Sequence, residues 1–255
     1  MTRSQKISCV VACRLNQIVD SIILLMFVSM LLTGIYLTMD VAYVFYHADP
    51  DKIPVLKRIY DTGSGTYTMD DLSDECVGWL TIYDTDIDYP IMQASNNNKY
   101  LNLSPQGEYS LSGSIFLDYR NSAWFLSDYL LVYGHHMSNG FMFGALDYYE
   151  SEVYMQKHKK GVLLRRDGTR FDVEIFAYAV VDASDAEVFR PGQQQELDEF
   201  IKKRSLNRIG DGKGPIIMAL TTCRADPDSA RTVVFCVLSD HMEAGTEPAD
   251  LNRDS

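Results

Sequence analysis

The sequence predicts a mainly β fold: a closed or nearly closed barrel with peripheral helices, preceded by one apolar helix of membrane-spanning length. Three observations lead there. After Cys76 the chain breaks into short runs rich in Ile, Val, Leu and Tyr, each bounded by turn residues. One pair of runs meets at Asp167-Gly168, a strong hairpin turn signal. Near the start, Ser21–Met39 is nineteen residues without a charge.

That uncharged run, as a helix, reaches roughly 28 Å, close to the ~30 Å hydrocarbon core of a bilayer. Asp20 and Asp40 bracket it, and Tyr36, Tyr43 and Tyr46 stand where an interfacial aromatic belt forms. The run is longer than a signal-peptide core, and Ala42 sits among bulky residues with no A-x-A cleavage pattern. A buried core helix would need protein on every face. We therefore expect residues 1–20 as a cytoplasmic flank and 21–39 as a single transmembrane anchor. Arg3, Lys6 and Arg14 precede the span with no acid among residues 1–16, which sets the N-terminus inside and the body outside the membrane.

Residues 40–75 read as a tether and helical lead-in. Ile53, Leu56 and Ile59 recur at three-residue steps, Pro54 fits a first helical turn, and the GSG at 63–65 ends that helix. The acidic run MDDLSDE at 69–75 lacks the spacing of a calcium loop and reads as a solvated helix start. The expected strands are 79–84, 88–92, 114–118 and 129–134, then the hairpin 161–182 with a two-residue turn. In its second arm Phe171, Val173 and Ile175 alternate with Asp172 and Glu174. A helix over 193–204 puts Leu197, Phe200 and Ile201 on one face, and strands 215–223 and 230–238 complete the set. The folded body is expected at 76–239, and 240–255 as a loose tail.

Composition limits the function. The 255 residues hold 46% hydrophobic residues, enough for a core, and a net charge of −12. The first sixteen residues carry +3, leaving −15 for the rest, which disfavours nucleic acid as a partner. Five cysteines without a CxxC spacing fit neither a disulfide scaffold nor a zinc site. Cys9 and Cys13 fall on the cytoplasmic flank, where no role is expected. Cys76, Cys223 and Cys236 fall outside; three is odd, so at least one is a free thiol or pairs with another chain.

Three groups carry chemistry: the His135-His136 pair in VYGHHM, Cys223 at the end of ALTTC, and Arg231 opening RTVVF. A thiolate is a nucleophile when a cation or imidazolium lowers its pKa. A histidine protonates a leaving amine, and an arginine supplies fixed donors to an oxyanion. Together they suffice for acyl transfer from a peptide bond. Cys223 lies 88 residues after His135, so only the fold can bring them together. The same residues also allow an inert cysteine, a Cys223–Cys236 disulfide and a solvent-facing arginine.

LTTC followed eight residues later by Arg, with YGH upstream and an N-terminal anchor, resembles the sortases, the cysteine transpeptidases of Gram-positive cell surfaces. VGWLTIYDTDIDYPIMQ, SGSIFLDYRN, LLVYGHHMSNGFMFGALDYY and ALTTCRADPDSARTVVF are similar to class B sortase segments, in the family order, over residues 76–239. The helix before the strand bearing Cys223 also resembles the long helix of class B enzymes. The resemblance implies a sortase-type β-barrel with Cys223 as nucleophile, His135 rather than His136 as general acid, and Arg231 rather than Arg224 as oxyanion stabiliser. Thr221 and Tyr133 match groove positions, and Asn97 and Asn98 in NNNKYL are the nearest equivalents of DN-x-YL, with Asn98 taken as the substrate contact. Ala219 departs from the usual Thr, and Arg224 from a residue that is often acidic or polar.

The implied activity is cleavage of an NPxTx-like C-terminal sorting signal after Thr, through a thioester. An amine of a lipid-linked cell-wall precursor or a pilin lysine then takes the acyl group, and no metal or cofactor is expected. A hydrolytic surface endopeptidase and a catalytically silent binding module, its Cys223 and Cys236 oxidised together, remain the alternatives.

Overall fold

The structure is a computed structural model that describes residues 3–48, 69, 72–138, 140–190, 194–223 and 230–240. The expected helix with Ile53, Leu56 and Ile59, its GSG break, Arg224 and the tail from residue 241 lie outside the described residues. The chain divides into two compact units, one ending at Tyr46 and the other beginning at His47.

The first unit is built on helix α1 (Arg3–Ala48). It extends past the expected span at both ends, because neither proline nor glycine interrupts residues 3–20 or 35–48. Within it, Arg14–Val44 is long and apolar enough to cross a membrane, and no part of that window is buried. Its hydroxyls are satisfied locally: Ser21, Thr33 and Thr38 donate to the carbonyls of Gln17, Ser29 and Gly34. Three hydroxyls of the apolar run thus find their acceptors on the helix itself.

The second unit contains β1 (Cys76–Ile82), β2 (Asp88–Met92), β3 (Ile115–Leu117), β4 (Tyr129–Gly134), β5 (Lys160–Arg165), β6 (Arg170–Asp182), β7 (Asn207–Arg208), β8 (Ile216–Cys223) and β9 (Ala230–Asp240). The sheet order is β5-β1-β2-β3-β4-β8-β9-β6-β7, and β5 also pairs with β6. Eight strands therefore close into a barrel, with β7 added on β6. The thirteen-residue β6 makes this possible. One of its edges carries β9, while the other pairs with β5 through residues 170–174 and with β7 at 177–178. Helices α2 (Glu152–Lys157), α3 (Ala186–Phe189) and α4 (Gln194–Arg204) lie between strands.

Three local expectations are corrected. Residues 72–75 form a turn instead of a helix start: Cys76 N donates to Ser73 O, and Met69 and Leu72 are buried against Trp79, Met92, Tyr100 and Phe116. Their two apolar side chains join a core instead of facing water. The β5–β6 connection is a three-residue loop, not two. Gly168 N donates to Arg165 O, Arg165 N to Thr169 O, and Gly168 takes φ +89°. That is a turn closed by a left-handed glycine, with Asp167 accepting from Thr169 N and the Arg165 guanidinium. Finally, β1 ends at Ile82, because Thr85 caps the Ile82 carbonyl and draws Tyr83–Asp86 into a loop.

Two buried layers flank the strands around β8. Tyr129, Leu131, Ile217, Ala219, Val233 and Phe235 face outward onto Val188, Leu197, Phe200 and Ile201 of α3 and α4. The alternate residues, Leu130, Val132, Met218, Leu220, Val234 and Cys236, are fully buried on the other face, inside the barrel. A bulge between Ile175 and Ala177 lets β6 serve both layers. Before it Phe171, Val173 and Ile175 turn inward; after it Ala177, Ala179 and Val181 join the outer layer. Burying Leu197, Phe200 and Ile201 stabilises the α4 contact by about 1.5–3 kcal/mol each. Phe235 is 0% exposed at the centre of the outer layer, so Phe235→Ala is expected to destabilise the domain by about 3–5 kcal/mol, measured by urea unfolding.

Candidate active site

Strand register builds the site. β4 runs parallel to β8 with Tyr133 opposite Thr221 and Gly134 opposite Thr222. β9 runs antiparallel on the other side of β8, with Thr222 opposite Thr232 and Cys223 opposite Arg231. One step beyond the last β4–β8 pair come His135, just outside β4, and Cys223, the last residue of β8. Neighbouring strands are ~4.8 Å apart, so the end of β4 that leads into His135 lies at the same edge of the sheet as Cys223 and Arg231. By alternation, positions 133, 221, 223, 231 and 233 share the outer face of the sheet.

The turn at Gly134 is dictated by crowding. A Cβ there would lie 2.4 Å from Ile115 Cδ1 and 2.8 Å from Phe143 Cδ2, so only glycine lets the strand end pass. Beyond it the chain doubles back: Phe143 N donates to His135 O at 3.0 Å, and His136 bridges Met142. His135 Nε2 lies 2.7 Å from the carbonyl oxygen of Leu101. A carbonyl only accepts, so Nε2 carries the proton and Nδ1 is the nitrogen left to exchange one. Leu101 ends the 3-10 turn Lys99–Leu101, whose preceding residue is Asn98. The NNNKYL segment thus delivers a backbone acceptor to the histidine. Asn98 itself is exposed, with its N–H bonded to Asn96 Oδ1.

Thr221 is 1% exposed, and its hydroxyl has no hydrogen-bond partner among the described residues. Its neighbour Tyr133 stacks on Phe116 at 5.4 Å and donates its hydroxyl to Asp118 Oδ2 at 3.1 Å. Burial, together with the Asp118 charge, pushes the Tyr133 phenol well up, so it stays a donor.

Asp118, fully buried, is a junction that the sequence did not single out as functional. Its carboxylate accepts from Arg120 N and Nε, Arg120 Nη2 at 2.7 Å, Asn97 Nδ2 at 2.9 Å and Tyr133. Arg120 also donates to Phe189 O at the end of α3. One carboxylate therefore joins the Asn97 segment, β4 and, through Arg120, the helical cover. Burial raises its pKa, but hydrogen bonds from Arg120 and Asn97 outweigh that and hold it below the usual carboxylate range.

His136 bonds elsewhere. Its Nε2 is 2.9 Å from Asp147 Oδ2, in the 3-10 helix Gly144–Glu150. The expected alternative of a Cys223–Cys236 disulfide fails on register. Cys236 pairs with Met218, five residues before Cys223, a separation of roughly 17 Å along the strand. Cys76 and Cys236 are buried free thiols; burial pushes the Cys76 thiol up to about 11 and that of Cys236 higher still.

Because Asp118 titrates below its unfolded value, the stability it confers is complete at neutral pH and is lost as pH falls through the carboxylate range. Asp118→Asn is expected to cost about 2–3 kcal/mol at pH 7, less than for a fully buried pair because the Arg120 side chain is 37% exposed. The difference from wild type should narrow towards pH 3, followed by thermal unfolding across pH.

Comparison with known proteins agrees with this fold. Residues 80–239 match the family model of the sortase domain. Sortase B of Listeria monocytogenes is 36% identical over 167 residues, covering 62% of this chain and 66% of that protein. A Streptococcus pyogenes class B sortase involved in pilus biogenesis superposes with TM-score 0.62 at 35% identity, over 67% of this chain and 97% of that one. Sortase B from the type II pilus of Streptococcus pneumoniae gives TM-score 0.58 at 31% identity, over 70% and 100%. The chain belongs to the sortase family, cysteine transpeptidases, and its relatives are those of class B.

Proposed function

We propose that this protein is a membrane-anchored transpeptidase that cleaves a C-terminal sorting signal after a threonine and joins the new carboxyl end to an amine. The observation that supports this reading is the register that sets Gly134, which precedes His135, beside Thr222 and Cys223 opposite Arg231. The Cys223 thiolate attacks the threonine carbonyl, and the Arg231 guanidinium balances the oxyanion. His135 gives a proton to the departing amide nitrogen as the C–N bond breaks, leaving a thioester. A primary amine then attacks the thioester, displaces the thiolate and forms the new amide. The unpartnered Thr221 hydroxyl and Tyr133 suit contacts along the bound peptide, and Asn98 the rim.

An NPxTx-like signal is the expected substrate. Two of the solved relatives come from pilus systems, which favours a pilin lysine over a cell-wall precursor as acceptor. Helix α1 supplies the anchor, with the basic flank in the cytoplasm and the barrel outside. Confining enzyme, substrate and acceptor to one surface raises their effective concentration.

The full chain in detergent micelles, incubated with sorting-signal peptides with and without added amine, tests the proposal. Mass spectrometry should find a thioester on Cys223 and, with amine, a transpeptidated product. Cys223→Ala should abolish both, and His135→Ala should lower the rate about 10²–10⁴-fold while His136→Ala leaves product measurable. A thioester that gives only hydrolysis whatever amine is supplied would make the protein an endopeptidase; turnover by Cys223→Ala would remove the assignment.

A further inference from the structure

The second histidine of the pair has a partner network of its own, on the side of the sheet opposite to Tyr133 and Thr221. His136 Nε2 donates to Asp147 Oδ2 at 2.9 Å, and Thr232 Oγ1 donates to Asp147 Oδ1 at 2.7 Å. Both oxygens of one carboxylate are thus used on two different strand ends. Thr232 is fully buried, and His136 and Asp147 are partly so.

The three members border His135, Cys223 and Arg231. His136 follows His135, Thr232 follows Arg231, and Thr232 stands opposite Thr222, which precedes Cys223. The β-ladder joins the end of β4 to the start of β9 through β8, which lies between them. Asp147 reaches across that gap from the 3-10 helix. Its own placement is firm: Gly144 packs so closely on Met137 that a Cβ would lie 2.1 Å from the Met137 carbonyl oxygen, and Leu146 and Tyr149 are fully buried.

We infer that Asp147 is a positioning residue: through His136 and Thr232 it holds the chain ends that carry His135 and Arg231 level with Cys223. The inference rests on the reading of those three as the catalytic set. It gives the His-His pair a division of labour, with one ring facing the reaction and the other locking the strand end from behind. A displacement of the reacting groups by about 1 Å costs rate far more than it costs peptide binding.

The test uses the full chain in detergent micelles. Thr232→Val keeps the buried shape and removes the donor; Thr232→Ser keeps the donor. Two quantities are read: kcat and KM for transpeptidation, and the rate of iodoacetamide alkylation at the peptide bearing Cys223, without any substrate. Thr232→Val should lower kcat about ten- to hundredfold with KM within about twofold, and slow the alkylation severalfold; Thr232→Ser should restore both. Asp147→Asn keeps the shape but accepts from only one of the two donors, and carries the same test should the valine variant fail to fold. Wild-type rates in the valine variant, equal impairment in the serine variant, or a loss confined to KM would overturn the inference. A wild type that does not transpeptidate removes the sortase reading, while the alkylation comparison still decides on Asp147.

Discussion

The register between β4 and β8 is the constraint on which everything at the upper rim of the barrel depends. Parallel pairing brings residue 134 beside residue 222, although 88 positions separate them in the chain. Antiparallel pairing then sets Arg231 across from Cys223. A slip of one residue in either ladder would send the groups to opposite faces. Such a slip is forbidden because both faces of β8 are buried: Ile217 and Ala219 under α4, Met218 and Leu220 in the barrel. Hydrophobic packing on two sides thus becomes angular precision at the strand ends.

Two carboxylates brace that rim, one from each side, and they differ in kind. Asp118 is wholly enclosed and tolerates its charge because Arg120, Asn97 and Tyr133 all donate to it. It ties together loops that come from four parts of the chain. Asp147 is partly exposed and has a simpler task, one oxygen for each of two strand ends. The outer brace fixes the surroundings of Tyr133, while the inner one fixes the strand ends themselves.

Much of this was legible in the sequence, and the reasons are local. DYPIM and YLLVYG became strands with their expected ends, because turn residues bound them on both sides. Leu197, Phe200 and Ile201 fell on one buried helical face, as their spacing requires. The face switch in β6 was hidden, because FAYAVV is apolar throughout and shows no break in alternation where the bulge lies. The three-residue loop at Arg166–Gly168 was hidden too, since the same Asp-Gly pair serves two turn geometries. Asp118, Asp147 and the Leu101 carbonyl escaped notice for a different reason. Their significance comes from partners 11 to 85 residues away, and in the case of Leu101 from a backbone atom that every residue type carries.

The bulge at Phe176 carries an implication for how this chain can change. A strand that serves two layers counts its residues in twos, and Phe176 is the odd one that moves Ala177, Ala179 and Val181 to the outer layer. Losing that single residue would leave a regular ladder, Ile175 still opposite Cys236 and Ala177 opposite Phe235, whereas losing one residue elsewhere in β6 would exchange lining for exterior on one side of the change. Away from Phe176, length changes within 171–181 are therefore admissible only in pairs, whereas the turn at 183–185 can absorb one residue or several without reversing any face.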